Sequence, residues 1–372
     1  MKKILINATA AKNSGALTIL KDFINFLYPM KSKEYEFHLL TTVALFEETP
    51  NIKVHKLTTQ NWLQRIKWDF ILLEKWCLQN NIMPDLLISF QNTCTRFTHK
   101  TLKDIPQLVY YHQPLPLIKY KWNILQKTER TMFLYAHFYG FFVNKNNKHA
   151  HYVVQLPNIK EKLLQKFKNI KENSVTIIKP NPPFIPIEEY LPFTEFKNDI
   201  VLFYPATLLT YKNHLIIVKS IAKLINEKPE IKNTLKVIFT IDQNNTIYKT
   251  IRQQELENNI LCIGAIDYKI VLKYYATSSA LLFPSKIETF GLPLTEATVF
   301  GIPIIAASLP YAKEVLDGYK NVLFCDPDSI QEWYDAIKEI CIKPIKKTPI
   351  KQNNINTWNK IYNLITDKLI RK

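Results

Sequence analysis

One stretch in the second half of the chain decides the fold. It reads Phe283-Pro-Ser-Lys-Ile-Glu-Thr-Phe-Gly-Leu-Pro-Leu-Thr-Glu296, and Ala-Thr-Val-Phe-Gly-Ile-Pro303 follows directly. A short apolar run ends at Pro284, and a loop with Glu288 and Gly291 follows. We expect a helix to begin near Leu292, because the proline after it lacks an N–H that the first helical turn would leave unpaired. The stretch therefore predicts a strand, a glycine-containing loop and a helix in succession.

The same alternation extends over the whole chain. Short apolar runs predict strands at Ile4–Asn7, Phe37–Leu40, Leu86–Ser89, Leu108–Tyr111, Tyr152–Gln155, Ile200–Tyr204, Leu235–Ile241, Ile260–Ile263, Ala280–Phe283 and Pro303–Ala306. Longer patterns predict helices at Gly15–Tyr28, Leu63–Gln79, Lys121–Phe142, Asn158–Phe167, Ile330–Ile340 and Thr357–Leu369. Strands that alternate with helices imply βαβ units, so we expect an α/β protein with parallel sheets.

A proline-rich segment divides this pattern into two halves. Five prolines lie within Lys179–Pro192, and such a segment fits neither a helix nor a central strand. We therefore predict one domain over residues 1–180 and a second over residues 181–350. Two α/β sheets joined by a hinge are expected to close around a ligand in the cleft between them.

The chain is strongly basic, with a formal net charge of +17 that lies mainly in residues 1–180 and 343–372. A basic surface suits nucleic acid, anionic lipid or phosphorylated ligands, or it is simply solvated. Only five of the 49 cationic residues are arginine, which is the residue favoured for bidentate contacts with bases and phosphates. This composition argues against sequence-specific recognition of nucleic acid.

The cysteines and the apolar runs bear on the location of the protein. The five cysteines are odd in number and include no CxxC pair, which predicts neither a disulfide framework nor a zinc site. A reducing cytoplasm is the simplest interpretation. The N-terminus begins like a signal peptide, but Asn7 interrupts its apolar run, which favours a first strand. The longest apolar run, Met132–Val143, is far shorter than the roughly 20 residues that span a bilayer.

Two acids bracket the start of the predicted helix after Pro284. The N-terminus of that helix presents N–H groups and a partial positive charge, which suit a diphosphate, and Gly291 allows a ligand to approach the backbone. Glu288 and Glu296 are placed to hold two parts of one extended ligand. Taken alone, they are more simply interpreted as a loop charge and a solvated acid on a helix surface, because isolated carboxylates are usually solvated.

This block resembles glycosyltransferase family 4, also called glycosyl transferases group 1, which are retaining enzymes. The family signature is E-x7-E with FG-x-P-x-x-E inside it and G-x-P after it. It is matched by Glu288, Phe290-Gly291-Leu292-Pro293, Glu296 and Gly301-Ile-Pro303. The resemblance implies the GT-B fold, in which two Rossmann-like domains face a central cleft. It also implies that the C-terminal helix, within residues 351–372, packs back on the N-terminal, acceptor-side domain.

The resemblance assigns roles to residues of the signature. Glu288 would hydrogen-bond hydroxyls of the donor sugar, and Glu296 would hold the ribose hydroxyls. The backbone amides from Phe290 to Leu292, including that of Gly291, would contact the sugar and phosphate.

A second matching block, Tyr204-Pro-Ala-Thr-Leu-Leu-Thr-Tyr-Lys212-Asn-His214, resembles the phosphate-binding loop of the family. The resemblance pairs Lys212 with the donor diphosphate. Without it, Lys212 would be interpreted as a lysine at a helix start. Many family members have arginine where this chain has Thr207, so phosphate charge would rest on Lys212, the helix dipole and another cation.

Three further positions complete the candidate site. The stretch Ile260-Leu-Cys-Ile-Gly264-Ala-Ile266 resembles the strand and turn beside the nucleobase, and it equally fits an ordinary β–α turn. Gly15, after Asn13-Ser, opens the first helix and is expected near the donor phosphate. His112 follows a strand end and matches the active-site histidine of the family, near the donor sugar or the acceptor. The predicted catalytic group is His112, Lys212 and Glu288.

Metal dependence is not expected. Asp326-Pro-Asp328 spells the D-x-D pattern of metal-dependent glycosyltransferases of another fold, but Asp328-Ser329 directly precedes the helix predicted from Ile330, and Asp328 is interpreted as its N-cap. The resemblance implies a metal-independent enzyme that needs no cofactor beyond its nucleotide-diphosphate-sugar co-substrate.

The predicted function is a hexosyl or related transferase that moves a sugar onto a lipid-linked saccharide of lipopolysaccharide, capsule or O-antigen. The basic first half and the aromatic run Met132–Phe142 predict peripheral contact with the anionic inner face of the cytoplasmic membrane. Two alternatives stay open at this point. One is a GT-B-fold nucleotide-sugar epimerase, and the other is a basic nucleic-acid-binding protein, for which the sequence contains no recognised module.

Overall fold

The computed structural model describes residues 1–12, 14–30, 32–58, 62–143, 145, 147–181, 184–343, 345–350 and 356–370. The chain divides into two compact units. Unit 1 is Met1–Asn181 together with Ile355–Lys372, and unit 2 is Pro182–Asn354. The division falls inside the proline-rich segment that the sequence analysis singled out.

Unit 1 is built on a seven-stranded parallel sheet. Its strands are β1 Lys2–Asn7, β2 Tyr35–Thr41, β3 Ile52–Lys56, β4 Leu86–Ser89, β5 Gln107–Tyr111, β6 Ala150–Val154 and β7 Val175–Ile177. Its α-helices are α1 Ser14–Leu27, α2 Trp62–Lys67, α3 Leu73–Gln79, α4 Lys127–Val143 and α5 Pro157–Lys166. The order across the sheet is β3-β2-β1-β4-β5-β6-β7, with the first strand near the centre. Helices cover both faces of such a sheet, and its central strands are accordingly apolar on both sides.

Unit 2 repeats this arrangement with a six-stranded parallel sheet. Its strands are β8 Ile200–Tyr204, β9 Leu235–Phe239, β10 Ile260–Cys262, β11 Ala280–Phe283, β12 Ile304–Ala307 and β13 Val322–Cys325. Its helices are α6 His214–Glu227, α7 Thr246–Gln253, α8 Tyr268–Thr277, α9 Leu292–Phe300, α10 Pro310–Val315 and α11 Ile330–Ile342. The order β10-β9-β8-β11-β12-β13 again places the first strand of the unit beside the fourth.

The C-terminal segment completes the core of unit 1. Helix α12 Trp358–Asn363 continues as a π-helix over Leu364–Ile370. Trp358, Ile361 and Ile365 are buried in the same apolar cluster as Phe23 and Ile4. The Trp358 ring lies 4.9 Å from the Phe23 ring, and its Nε1–H donates to Asp22 Oδ2 at 2.6 Å.

Several boundaries differ from the sequence-based predictions. The helix expected from Lys121 begins at Lys127, because Asn123 forms a local turn in which its side-chain oxygen accepts from Leu125 N–H. The helix expected over Leu63–Gln79 is split by a π-helix at Trp68–Leu72. Three short strands, β3, β7 and β13, were missed. They are three to five residues long and partly exposed, so their apolar pattern is weak.

All five cysteines are free thiols. Among the helices that the structure describes, none has the length and apolar character required to cross a membrane.

Candidate functional site

The strand order places a topological switch point in each unit. The chain leaves β1 and β4, or β8 and β11, toward opposite halves of the sheet, so the loops after these adjacent strands diverge. Open parallel sheets bind ligands in the crevice formed there, outside the carboxyl ends of the strands. The predicted donor residues of unit 2 lie on the loops after β8 and β11 and in α9, except Gly264, which follows β10.

These two loops are fastened to each other by hydrogen bonds. The N–H of Lys286, after β11, donates to the carbonyl of Tyr211, after β8, at 2.7 Å. The hydroxyl of Tyr204, the last residue of β8, donates to the carbonyl of Lys212 at 2.6 Å. The backbone at Lys212 is therefore fixed from two sides.

This arrangement brings Lys212 and Glu288 together although 76 positions separate them in the sequence. Lys212 Nζ lies 2.5 Å from Glu288 Oε1, and the two side chains are only 17% and 16% exposed. A partly buried pair of this kind interacts more strongly than a surface pair, and removing one partner leaves the other charge uncompensated. Glu288 is therefore more than a solvated loop charge, and Lys212 is more than a lysine at a helix start, because the two side chains pair with each other.

Gly291 shapes the start of α9. Its φ of 90° lies in the left-handed region, and a Cβ there would stand 3.2 Å from Leu294 Cδ1 and 3.3 Å from Phe283 Cε1. Glycine is required for this turn, which ends the loop and begins the helix. The Phe290 ring is buried and Leu292 is half-buried, so these residues present their backbone rather than their side chains at the helix N-terminus.

Glu296 is buried within unit 2, with 6% exposure. Its Oε1 accepts from the Tyr268 hydroxyl and its Oε2 from the Tyr275 hydroxyl, both at 2.9 Å. Burial raises the pKa of this carboxyl above its ordinary value, and the two hydroxyl bonds oppose the rise. The interpretation of Glu296 as a solvated acid on a helix surface is wrong.

The two tyrosines were missed by the sequence analysis, although a signal for them exists. Tyr268 and Tyr275 are seven residues apart, so they lie on one face of α8. That face packs against α9 and its acid. Two tyrosines at helical spacing near a signature glutamate would have been the pattern to notice.

Two further positions of unit 2 lie in loops. Gly264 follows β10 with a φ of 76°, and a Cβ there would stand 3.1 Å from Asp242 Oδ1, so this turn also requires glycine. Thr207 is exposed in the loop after β8, where its carbonyl accepts from Leu209 N–H at 3.0 Å.

The prediction that Asp328 caps α11 is wrong. The N-cap is Ser329, whose hydroxyl accepts from Glu332 N–H at 3.2 Å. Asp328 instead forms an ion pair with Lys286 on the loop after β11. Serine one position later has the correct backbone geometry, and the carboxylate is more favourably placed beside the lysine. Among the residues described, no three His, Cys, Asp or Glu side chains are grouped so as to hold a metal ion.

In unit 1, His112 follows β5 and is half-buried. Its backbone N–H donates to Asn92 Oδ1 at 2.6 Å, and its ring Nδ1 lies 3.3 Å from the carbonyl oxygen of Tyr110. Because a carbonyl only accepts, this contact places the ring proton on Nδ1 and the lone pair on Nε2. Burial lowers the pKa of His112 to about 4, and the positive charge of Arg65 contributes in the same direction.

A buried acid lies beneath the ends of β1 and β4. Asp69 accepts from Asn7 Nδ2 at 2.8 Å and from Thr93 Oγ1 at 3.1 Å, and burial raises its pKa to about 6. Arg65 lies over the Tyr139 ring at 5.1 Å. No sequence pattern predicted this cluster. Its acid, Asp69, lies on the π-helix Trp68–Leu72, and such helices frequently mark functional sites. Gly15 is the second residue of α1 and is exposed, whereas Asn13 lies outside the described residues.

The two parallel sheets, each with its first strand beside its fourth, define the class of the protein as a GT-B α/β protein. The comparisons agree on this fold. WaaG, described as a glycosyltransferase involved in lipopolysaccharide biosynthesis, is similar with a TM-score of 0.68 over 99% of this chain and 96% of that chain, at 10% identity. Anabaena Alr3699/HepE in complex with UDP-glucose is similar with a TM-score of 0.63 over 92% and 90%, at 18% identity.

Residues 187–357, which cover most of unit 2, match the family described as "Glycosyl transferases group 1". The O-antigen chain mannosyltransferase RfbU of Salmonella typhimurium is 28% identical over 108 residues, which are 29% of this chain and 30% of that protein. An uncharacterized 41.2 kDa protein in the cps region of Klebsiella pneumoniae is 26% identical over 147 residues, 36% and 40% of the two chains. The chain thus spans less than half the length of these two curated relatives.

Proposed function

We propose that this chain is a retaining glycosyltransferase that moves a sugar from a nucleotide-sugar to a lipid-linked saccharide in cell-surface polysaccharide biosynthesis. The observation that carries the proposal is the meeting of Lys212 and Glu288 at the switch point of unit 2. The family match over residues 187–357 and the names of the relatives, which include an O-antigen mannosyltransferase, support the same reaction class. The UDP-glucose complex of a protein with this fold supports the donor class.

In the proposed donor site, Lys212 and Glu288 exchange their contact with each other for contacts with the donor. When the donor enters, Glu288 turns from Lys212 to hydroxyls of the sugar, and Lys212 Nζ turns to the diphosphate. The bond between the anomeric carbon and the phosphate oxygen breaks as the oxygen of the acceptor hydroxyl bonds to that carbon. The hydroxyl proton passes to the departing phosphate oxygen, and negative charge builds on the diphosphate. Lys212 and the N-terminus of α9 stabilise this charge, because preorganised donors act most strongly where charge develops.

The same proposal assigns His112 to a saccharide hydroxyl. A histidine with a pKa of about 4 is neutral at physiological pH. Its Nε2 lone pair then accepts a hydrogen bond from a hydroxyl, while Nδ1 stays on the Tyr110 carbonyl. Retention rests on the family resemblance, and we assign no protein nucleophile. We propose that no metal or other cofactor takes part.

The outer face of α4 supports the proposal of a lipid-linked acceptor. Leu134, Phe138 and Phe141 are 41%, 58% and 59% exposed, and their spacing places them on one side of the helix. Lys145 Nζ lies 4.5 Å from the centre of the Phe141 ring. A cavity of about 410 Å³ beside them is lined by Lys145, Lys166 and His137, among others. Apolar side chains ringed by cations suit an anionic bilayer surface, so we propose peripheral attachment to the inner face of the cytoplasmic membrane.

Binding of the donor tests the proposal directly. A panel of nucleotide-sugars is added to the purified protein, and the melting temperature is recorded. One of them should stabilise the wild type by about 2.7 kcal/mol at a concentration of 100 Kd. Lys212→Met and Glu288→Gln should each weaken binding at least tenfold, roughly the effect of one hydrogen bond to a charged group.

The control is Lys223→Met, which removes an exposed ion pair with Glu227 on α6 and should leave binding unchanged. Turnover is then followed with the donor that binds and a lipid extract, and the anomeric configuration of the product is read by NMR. Absence of a shift with every nucleotide-sugar at millimolar concentration would refute the donor site. Conversion of the donor alone into its epimer would replace transfer by epimerisation.

A further inference from the structure

The carboxylate of Glu296 has two hydroxyl partners that differ in how firmly they are held. Tyr275 is fully buried, its ring is stacked on Phe300 at 5.6 Å, and it meets the edge of Phe203 at 5.3 Å. Tyr268 is the first residue of α8 and is 43% exposed. Moving the Tyr275 ring would open a cavity in the core, whereas the Tyr268 side chain can turn toward solvent at little packing cost.

The acid itself cannot lose a partner without a replacement. A buried carboxylate is costly unless its oxygens accept hydrogen bonds. If the Tyr268 hydroxyl leaves, Oε1 needs another hydroxyl in the same place. The ribose of a nucleotide offers a pair of neighbouring hydroxyls, and Tyr268 stands directly after the turn at Gly264, which the family resemblance places beside the nucleobase.

We propose that Tyr268 is a displaceable stand-in for a ribose hydroxyl: it satisfies Glu296 Oε1 in the empty protein and yields this oxygen to the nucleotide on binding. Tyr275 is the fixed partner that orients the carboxylate in both states. The inference rests on the proposed function, because it takes the ligand of Glu296 to be a ribonucleotide.

An exchange of this kind predicts an unusual effect of mutation. Tyr268→Phe keeps the ring but removes the competing hydroxyl, so Oε1 is left unpaired in the empty protein. The ribose then gains a full hydrogen bond to a charged group instead of replacing one, and binding should become roughly tenfold tighter. If the Tyr268 hydroxyl instead contacted the nucleotide directly, Tyr268→Phe would weaken binding.

The experiment is isothermal titration calorimetry at pH 8 with UDP, GDP and ADP. The nucleotide that binds is then compared with its 2′,3′-dideoxy form. Tyr268→Phe should tighten binding of the ribonucleotide about tenfold and leave the dideoxy form unchanged. Tyr275→Phe, the matched control on the same acid, should lower the melting temperature without tightening binding.

Three outcomes decide between the hypotheses. Unchanged or weaker binding of the ribonucleotide by Tyr268→Phe overturns the exchange. Equal tightening of the ribo and dideoxy forms also overturns it, because the cause would then be a looser loop. If the wild type binds none of the three diphosphates, the proposed donor site fails first, and with it the basis of the exchange.

Discussion

At the scale of single residues, His112 is a candidate site residue whose chemistry is altered by its surroundings. Its pKa of about 4 means that the fold disfavours the imidazolium. The cause is burial beside a cation rather than any acidic neighbour, since Arg65 lowers the pKa further. A histidine kept neutral in this way is suited to accept a hydrogen bond and unsuited to hold a phosphate by charge.

This shift makes His112 a source of pH-dependent stability. The pKa in the folded state, about 4, lies below the ordinary value of 6.5. Below pH 6.5 the histidine of the unfolded chain takes up a proton that the folded protein does not bind. The free energy of unfolding therefore has its full value above pH 6.5 and falls by up to about 3 kcal/mol as the pH approaches 4. Urea unfolding of the wild type and His112→Gln at pH 7.5 and 4.5 measures it. The wild type should lose more stability than the variant on acidification.

His112→Asn provides a second neutral side chain at the same place and should give the same difference. If the stabilities of the wild type and both variants fall in parallel between the two pH values, the imidazole is not disfavoured as a cation by the fold.

At the scale of elements, α4 is apolar on two faces. Tyr139 and Val143 are buried on its inner side, where Tyr139 stacks on Tyr135 with ring centres 4.3 Å apart. Phe138 and Phe141 point away from this core and are more than half exposed. An exposed apolar helix face is normally covered by a partner or a membrane, so the outer face of α4 indicates a contact surface.

Membrane binding by α4 is tested with variants of that outer face. Phe138→Ser combined with Phe141→Ser should reduce co-sedimentation with anionic phosphatidylglycerol vesicles at least tenfold, because each buried phenyl ring contributes about 1.5 kcal/mol or more. Binding of the wild type should also weaken at 0.5 M salt, which screens attraction to the lipid headgroups.

Phe184→Ser is the matched control, because this phenylalanine is 71% exposed and lies outside α4. A loss of binding with Phe184→Ser equal to that of the double variant would show that general surface hydrophobicity is responsible. Equal binding of the double variant and the wild type would remove α4 from the membrane contact.

At the scale of the whole molecule, the first six strands of each unit follow the same order, but the units are built from different numbers of chain segments. Unit 2 is one continuous segment, whereas unit 1 takes its last helix from the far end of the chain. The bond between Trp358 and Asp22 joins positions 336 residues apart. The core of unit 1 is therefore incomplete until the segment from Trp358 to Ile365 has been made.

A pair of buried tryptophans tests this division of the chain. Trp358→Ala should destabilise unit 1 by about 3–5 kcal/mol, as expected for loss of a buried indole. Trp333→Ala, at a fully buried position of α11, should do the same to unit 2. Hydrogen exchange read by mass spectrometry should accordingly rise in β1, β2 and β4 for the first variant and in β8, β9 and β11 for the second. Faster exchange in unit 2 after Trp358→Ala, at the level seen in unit 1, would contradict the assignment.

The sequence alone determined the elements that depend on local pattern. The buried strands β4, β8 and β11 were predicted to the residue, because short apolar runs bounded by turn residues specify them. Gly291 and the proline after Leu292 fixed the loop and start of α9, since only glycine adopts the left-handed turn cheaply and proline fits the first helical turn. The family signature, which lies within one such local unit, was readable for the same reason.

The tertiary structure alone decided which distant side chains meet. Nothing near Lys212 in the sequence indicates its contact with Glu288, and the spacing of Tyr268 and Tyr275 does not by itself show that these tyrosines take both oxygens of Glu296. These contacts follow from the parallel pairing of β8 with β11 and from the packing of α8 against α9. Strand order and helix packing are set by the burial of the whole core, and a local sequence pattern does not contain that information.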